Sequence, residues 1–452
     1  MSAVEVEGDL VRETMTPITT QRPPSFGRLA VACGVGTSLE YFDFFLYGTA
    51  AVLVFNKIFF VAEDPWFGTF YALATFAIGF LMRPIGAIIF GHFGDQIGRR
   101  RMLVISLGMM GTATLLIGLL PSYQSIGIAA PILLVLLRIM HGLSVGGEVG
   151  GAALLAIEHA PPDRRGIYGS LVSIGAPLGA FLANGAFAFV VLLPEDALLS
   201  WGWRIPFIAG VAVAFIGLFA RRRLHETPVF ERLRSEHSTE RMPLLAVMRE
   251  HSNTVMLTAG VNLGFSAFVF ILFTFLLSYG PQQLGLPRSM MLNATLAGCL
   301  AHIIGVVAFG RLSDRIGRRP VMLAGAMFCV LFSYPLFWLV DTGESGFVLL
   351  AVVLGFVGSA AIFGPMLPYF AELFGPALRY TGIGIGFQLG AVLGGGLSPL
   401  VANRLVAAAG GGSTGVAVYL TLVSLISVAC MILLPETVRR GVEVTSRATA
   451  EG

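Results

Sequence analysis

Charge is what this sequence has least of. Only 12% of its 452 residues are Asp, Glu, Lys or Arg, against about 25% in a water-soluble protein. So few charges cannot cover a water-facing surface, which excludes a soluble enzyme or binding module and leaves the bilayer as the main solvent. Cysteine is also scarce. Cys33, Cys299, Cys329 and Cys430 are scattered through apolar stretches without metal-ligand spacing, so they read as core fillers rather than a disulfide or metal framework. There is no nucleophile elbow, metal-ligand cluster or phosphate-binding glycine loop, so no catalytic residue, metal or cofactor is expected and ATP has no site. Residues 1–27 contain Pro23 and Pro24 and lack an apolar core, so they read as a disordered cytoplasmic tail, not a cleavable signal peptide.

What is present is hydrophobic length. Hydrophobic residues make up 56% of the chain, with a mean hydropathy of +0.82. A spanning helix needs roughly 20 mainly apolar residues, because its backbone polar groups must pair within the hydrocarbon. Twelve such stretches occur, at 29–56, 67–91, 102–121, 127–150, 167–193, 204–220, 253–280, 289–310, 321–340, 346–369, 379–404 and 415–435. The expected fold class is an all-α integral membrane protein with twelve transmembrane helices. Basic residues orient the spans, since Lys and Arg accumulate on cytoplasmic loops. With both termini inside, only Lys57, Arg288 and Arg404 of the 29 basic residues fall on external loops, and Arg83, Arg138 and Arg204 lie within or at the edge of spans. The net charge of +3 then reflects topology, and no nucleic-acid partner is expected.

A repeat organises these spans. Gly91-His92-Phe93-Gly94-Asp95-Gln96-Ile97-Gly98-Arg99-Arg100 follows span two, and Gly310-Arg311-Leu312-Ser313-Asp314-Arg315-Ile316-Gly317-Arg318-Arg319 follows span eight, with six of ten positions identical at an offset of 219. Glu158 and Arg165 after span four are echoed by Glu372 and Arg379 after span ten, at an offset of 214. Two echoes at nearly one offset indicate a duplicated six-helix unit. The expected organisation is therefore a bundle over 28–220, a cytoplasmic linker over 221–252, a second bundle over 253–435 and a tail over 436–452.

The loop motif resembles the hallmark of the major facilitator superfamily, Gly-x-x-x-Asp-x-x-Gly-Arg in both halves. The resemblance sharpens to its metabolite:proton symporter branch through Glu40-Tyr41-Phe42-Asp43-Phe44, Arg83-Pro84-Ile85-Gly86, Arg138-x-x-His141-Gly142, Gly146-Gly147-Glu148 and Trp201-Gly202-Trp203-Arg204-Ile205-Pro206. His141 departs from the pattern, which usually has Gln there. Within that branch the chain looks most like shikimate-type carriers. The resemblance implies two pseudo-symmetric six-helix bundles, a bacterial inner-membrane location and a monomer whose partners are a small-molecule substrate, protons and lipid. It also implies proton-coupled symport of a small polar metabolite by alternating access, for example shikimate, a ketoacid or a dicarboxylate. A proline- or betaine-type osmolyte symporter and a proton-driven exporter are the alternatives.

Ionisable groups inside hydrocarbon are expensive, so those present point to function. Glu40, Asp43 and Tyr47 share one face of span one, and Arg138, His141 and Glu148 form a stripe on span four. The two stripes are expected to face each other across a cavity in the N-terminal half. Asp43 and Arg138 are the expected switchable pair, with Glu40 as the alternative proton carrier. Arg138, His141, Tyr47 and Glu148 are the expected substrate contacts of the first half. Asn262, Ser266 and Gln388 supply uncharged hydrogen-bonding groups in the second. Arg83 and Arg204 are expected to have structural or anchoring roles, the latter beside an interfacial pair, Trp201 and Trp203.

Overall fold

The computed structural model describes residues 26–60, 65–97, 99–146, 153, 154, 156, 157, 160–222, 243–374 and 378–438. Most of the expected tail 1–27, residues 223–242 of the expected linker and residues 439–452 lie outside these. The described residues form helices and no strand. Twelve helices answer to the twelve expected spans. In the first half these are α1 (Phe26–Ala50, continued to Ile58), α2 (Pro65–Ile97), α3 (Arg99–Leu119), α4 (Ala129–Val145), α5 (Arg165–Ser173 and Gly175–Val190) and α6 (Arg204–Arg222). In the second they are α7 (Ser252–Phe270, continued to Gln283), α8 (Arg288–Ile316), α9 (Arg318–Asp341), α10 (Ser345–Leu373), α11 (Arg379–Ala391, continued to Ala408) and α12 (Thr414–Leu433). Among the described residues nine are long and apolar enough to cross a membrane, Val104–Leu119 and Ala129–Val145 are shorter apolar helices, and α6 has 19 residues.

The duplication recurs in the details of the helices. α1 widens to a π-helical turn at Ala51–Phe55 and α7 does so at Ile271–Phe275, an offset of 220 that almost matches the loop repeat. α5 lies against α1 so closely that a Cβ on Gly179 would sit 2.4 Å from the Ser38 carbonyl oxygen, and α11 lies against α7 with a Cβ on Gly390 2.5 Å from that of Ala259. Small residues allow such close approach where lipid offers no hydrophobic drive. The same helix pairs therefore meet in the same manner in both halves.

The two halves touch at both ends. At the end carrying the loop motifs, Asp314 of α8 accepts the backbone N–H groups of Gly166 (2.7 Å) and Ile167 (3.0 Å), the free donors at the start of α5. Arg318 holds Asp314 at 2.6 Å and reaches Glu372 of α10 at 3.5 Å. Gly317, at φ 107°, makes the turn into α9 in a region that only glycine enters without strain. Glu436 then caps α9 by accepting from the backbone N–H groups of Arg318 and Arg319. Arg379 begins α11 and Arg165 begins α5. In the first-half copy Gly91 falls in α2, while Gly98, Glu158 and the side chains of Asp95, Arg99 and Arg100 lie outside the described residues. At the opposite end Gln282 of α7 donates to Thr69 of α2 (2.9 Å), and Trp66 of α2 donates to the Asn403 carbonyl of α11 (3.5 Å). Also at that end, a hydrogen bond from Lys57 holds the Glu195 carboxyl below the usual carboxylate range.

Hydrogen bonds to a charged acceptor contribute roughly 1.5–3 kcal/mol each, so the Asp314 contact is the strongest tie between the halves among the described residues. Asp314→Ala is expected to shift the population at least about tenfold toward a separated motif end. Distances between spin labels on the ends of α5 and α8 measure this. An unchanged distance distribution would remove Asp314 from the closing contact.

Candidate functional site

The site begins with two helices that meet backbone to backbone. Gly142 on α4 and Gly146 just after it share one face. A Cβ on Gly142 would sit 2.2 Å from the Gly79 oxygen, and one on Gly146 2.2 Å from the Arg83 oxygen. This small-x-x-x-small contact brings α2 and α4 together. It also brings Arg83 of α2 and Arg138 of α4 into one region, exposed by 2% and 0%.

Among the described residues neither guanidinium makes a salt bridge; both rest on aromatic faces. The Cζ of Arg83 lies 4.4 Å from the Phe44 ring centre and 4.6 Å from that of Phe80. That of Arg138 lies 4.2 Å from Tyr47 and 5.2 Å from Phe44. Tyr47 is fixed by a 2.6 Å hydrogen bond to Thr75, and His141 Nδ1 stands 3.2 Å from Arg138 Nη1. Glu40 and Asp43 complete the cluster from α1, both buried. The field of Glu40 acts on Arg83 and that of Asp43 on Arg138, while the two arginines repel each other. Asp43 Oδ1 also points to α6, where it stands 3.3 Å from the place a Gly210 Cβ would take.

Between the halves lies a cavity of about 30 Å³, room for about one water molecule. Tyr41, Phe45, Phe270 and further aromatic rings from both halves make up most of its wall, with Arg83, Ser266 and His302 as its hydrogen-bonding groups besides Tyr41. Phe45 stands 4.3 Å from Phe273 and Phe80 stands 5.2 Å from Phe270, ring centre to ring centre, so aromatic contacts close the interface.

The structure distributes the expected site residues differently from the sequence pattern. The polar face of α1, with Glu40, Asp43 and Tyr47, meets Arg138 and His141 inside the first bundle. Tyr41 and Phe45 form the face of α1 at the central cavity. Ser266 is at the cavity wall. Asn262 is committed to tying α7 to α11, donating to the Phe387 oxygen at 2.6 Å and accepting from Ser266 at 3.1 Å. Gln388 is buried beside the cavity-lining Phe387, and its amide has no hydrogen-bond partner among the described residues. Glu148 lies outside the described residues. Arg83 gained only a structural reading from sequence, yet it reaches the cavity, and His302 was not singled out. Its signal was available as one ionisable side chain in the apolar run Leu300-Ala301-His302-Ile303-Ile304. Arg204 anchors α6 to the end of α3 by donating to the Gly118 and Leu120 oxygens. Trp203 does not face outward: it follows the π-helical turn Leu198–Gly202 and is fully buried against Phe55, Phe59 and Phe207.

The family model described as Major Facilitator Superfamily matches residues 33–399 and 300–449. The chain belongs to that superfamily. It is 40% identical over 428 residues to an inner membrane metabolite transport protein of Escherichia coli, covering 93% of this chain and 96% of the other. It is 38% identical to the shikimate transporter of the same organism, covering 91% and 95%. The crystal structure of a D-xylose-proton symporter shares the fold, with a TM-score of 0.70, 18% identity and coverage of 91% and 98%. This major facilitator protein is thus a multi-pass membrane transporter and not an enzyme.

The backbone contact of α2 with α4 makes a stability prediction. Gly142→Ala inserts a methyl group where a carbonyl oxygen stands, and overpacking of this kind costs about 1–3 kcal/mol. Thermal unfolding in detergent is expected at a lower temperature than wild type. Gly108→Ala on α3 serves as the control, because a methyl group there meets nothing within 4 Å, and it is expected not to lower the melting temperature. An unchanged melting temperature in Gly142→Ala would show that the helices separate at no cost.

Proposed function

We propose that this transporter carries a small organic monoanion together with a proton by alternating access. The observation that carries the reading is that Arg83 is the one charged side chain among the described residues lining the central cavity. A guanidinium presents a planar fork that matches a carboxylate. A second or third carboxylate would face aromatic rings, with no cation to offset its desolvation. This supports a hydroxy- or ketomonocarboxylate over a dicarboxylate, and the 38% identity to a shikimate transporter agrees with it. Arg138 stands behind the wall and acts on the ligand through Asp43 and Tyr47 rather than by contact.

The acids supply coupling. Glu40 faces the field of Arg83, so an anion arriving on Arg83 offsets the positive charge that Glu40 feels. A proton on Glu40 and an anion on Arg83 then favour each other. Asp43 stands in the same relation to Arg138 and serves as the second proton site. Access requires the halves to part, since a cavity of about 30 Å³ cannot admit a metabolite.

One observation favours a second reading. An aromatic wall attracts a quaternary ammonium, and the chain is 29% identical to the proline/betaine transporter of Escherichia coli over 97% of its length. A betaine would place its carboxylate on Arg83 and its cation against the rings.

Uptake into proteoliposomes separates the two. Labelled monocarboxylates, dicarboxylates and betaines are offered with and without an imposed proton gradient. Concentrative uptake of monocarboxylates is expected, abolished by an ionophore and by Arg83→Ala, and retained at about a tenth or less in Arg83→Lys. Concentrative uptake that persists without the gradient contradicts symport, and uptake of betaine alone establishes the second reading.

A further inference from the structure

His302 of α8 is exposed by 1%, lines the central cavity, and has neither ring nitrogen hydrogen-bonded among the described residues. An imidazole always offers hydrogen-bonding capacity at both nitrogens, and buried groups of this kind nearly always have partners. The neighbours that fix the ring are aromatic: Phe356 at 5.5 Å and Phe363 at 6.1 Å between ring centres. They hold the imidazole in place and satisfy neither nitrogen, so the cavity is where its hydrogen bonds remain to be made.

The duplication gives this residue a counterpart. The offset of 219 that aligns the loop motifs also aligns Arg83 with His302, each eight residues before the first glycine of its motif. Both line the same cavity, one from each half. The pseudo-symmetric positions have thus become two poles of one site, a permanent cation in the first half and an imidazole in the second.

We propose that His302 is a substrate-binding residue that hydrogen-bonds a hydroxyl or carbonyl group on the part of the ligand remote from its carboxylate. This rests on the reading of Arg83 as the carboxylate site. A ligand held at both poles ties α2 to α8, so recognition of the remote group also draws the halves together. A carboxylate without such a group leaves the imidazole buried and unsatisfied, and is selected against.

The test uses purified full-length protein and ligand pairs that differ in hydroxyl groups: shikimate with 1-cyclohexenecarboxylate, 4-hydroxybutyrate with butyrate, and carnitine with γ-butyrobetaine. Binding is measured by calorimetry for wild type, His302→Phe, His302→Gln and Arg83→Ala, each first shown to be monodisperse with a cooperative melt. Wild type is expected to bind the hydroxylated member of at least one pair about tenfold or more tightly than its partner. In His302→Phe that ratio falls to near one, with the affinity for the unhydroxylated member kept within about twofold. His302→Gln, which retains a donor and an acceptor, keeps part of the preference. A wild type that discriminates in no pair, or a His302→Phe variant that discriminates as wild type does, overturns the proposal. If Arg83→Ala binds the acids normally while His302→Phe still loses its discrimination, the carboxylate reading fails and the role of His302 stands.

Discussion

Two guanidinium groups buried in a hydrocarbon-spanning bundle, resting on aromatic rings rather than in salt bridges with the described residues, set the terms for the rest of this structure. A charge at that depth is expensive, and the surroundings offset it in three ways. Gly142 and Gly146 let α4 approach α2 to backbone contact, so that both arginines are enclosed by protein. Phe44, Phe80 and Tyr47 turn ring faces to them. Glu40 and Asp43 supply opposite charge from one turn of α1 through space. A permanent bidentate salt bridge would fix such a group in place. A ring face is worth only about 0.5–2 kcal/mol, so it holds Arg83 at the cavity wall less firmly than an ion pair would.

The closure of the two halves is unequal at its two ends. The motif end is held by an ionised acceptor on two backbone donors, with Arg318 and Glu372 behind it. The opposite end is held by neutral hydrogen bonds from Gln282 and Trp66. Charge-assisted bonds are about twice as strong as neutral ones, so opening at the motif end requires the larger input of free energy. The repeated π-helical turns in α1 and α7 lie in the two helices that flank the aromatic plug. Such turns loosen the regular hydrogen-bond ladder where the halves must slide.

The fold was legible because it rests on local properties. An apolar run of sufficient length must be a helix in a bilayer, so the stretch 289–310 appears as Arg288–Ile316 and 204–220 as Arg204–Arg222. The repeated loop motif similarly marked the second-half turn, where Asp314, Gly317 and Arg318 all have structural work. The site was less legible. Periodicity found the polar face of α1, but an inner helix has several sides turned away from lipid, and a one-dimensional pattern does not say which one meets a cavity. Here Tyr41 and Phe45 take that side because the Phe45 ring fills the interface against Phe270 and Phe273, with Tyr41 stacked on Phe45. Trp203 was misread as interfacial for a related reason: its position at a span end was visible, and its burial against Phe55, Phe59 and Phe207 was not.

The placement of titratable groups gives the duplicated halves different tasks. The buried acids Glu40 and Asp43 belong to α1, and the arginines whose fields meet them belong to α2 and α4, so a change of protonation alters charge balance within the first bundle alone. The second half meets the cavity with Ser266 and His302 among aromatic rings, groups that can hydrogen-bond without adding a permanent charge. In the proposed symport, a site divided in this way would let the proton and the ligand be read on separate helices while both act on the same interface. On the proposed reading, a ligand bound across the interface would join α2 to α8, and neutralisation within the first bundle would weaken the fields acting on Arg83. The free energy of each event is therefore expressed in the fit between the halves, which is the coordinate that alternating access must change.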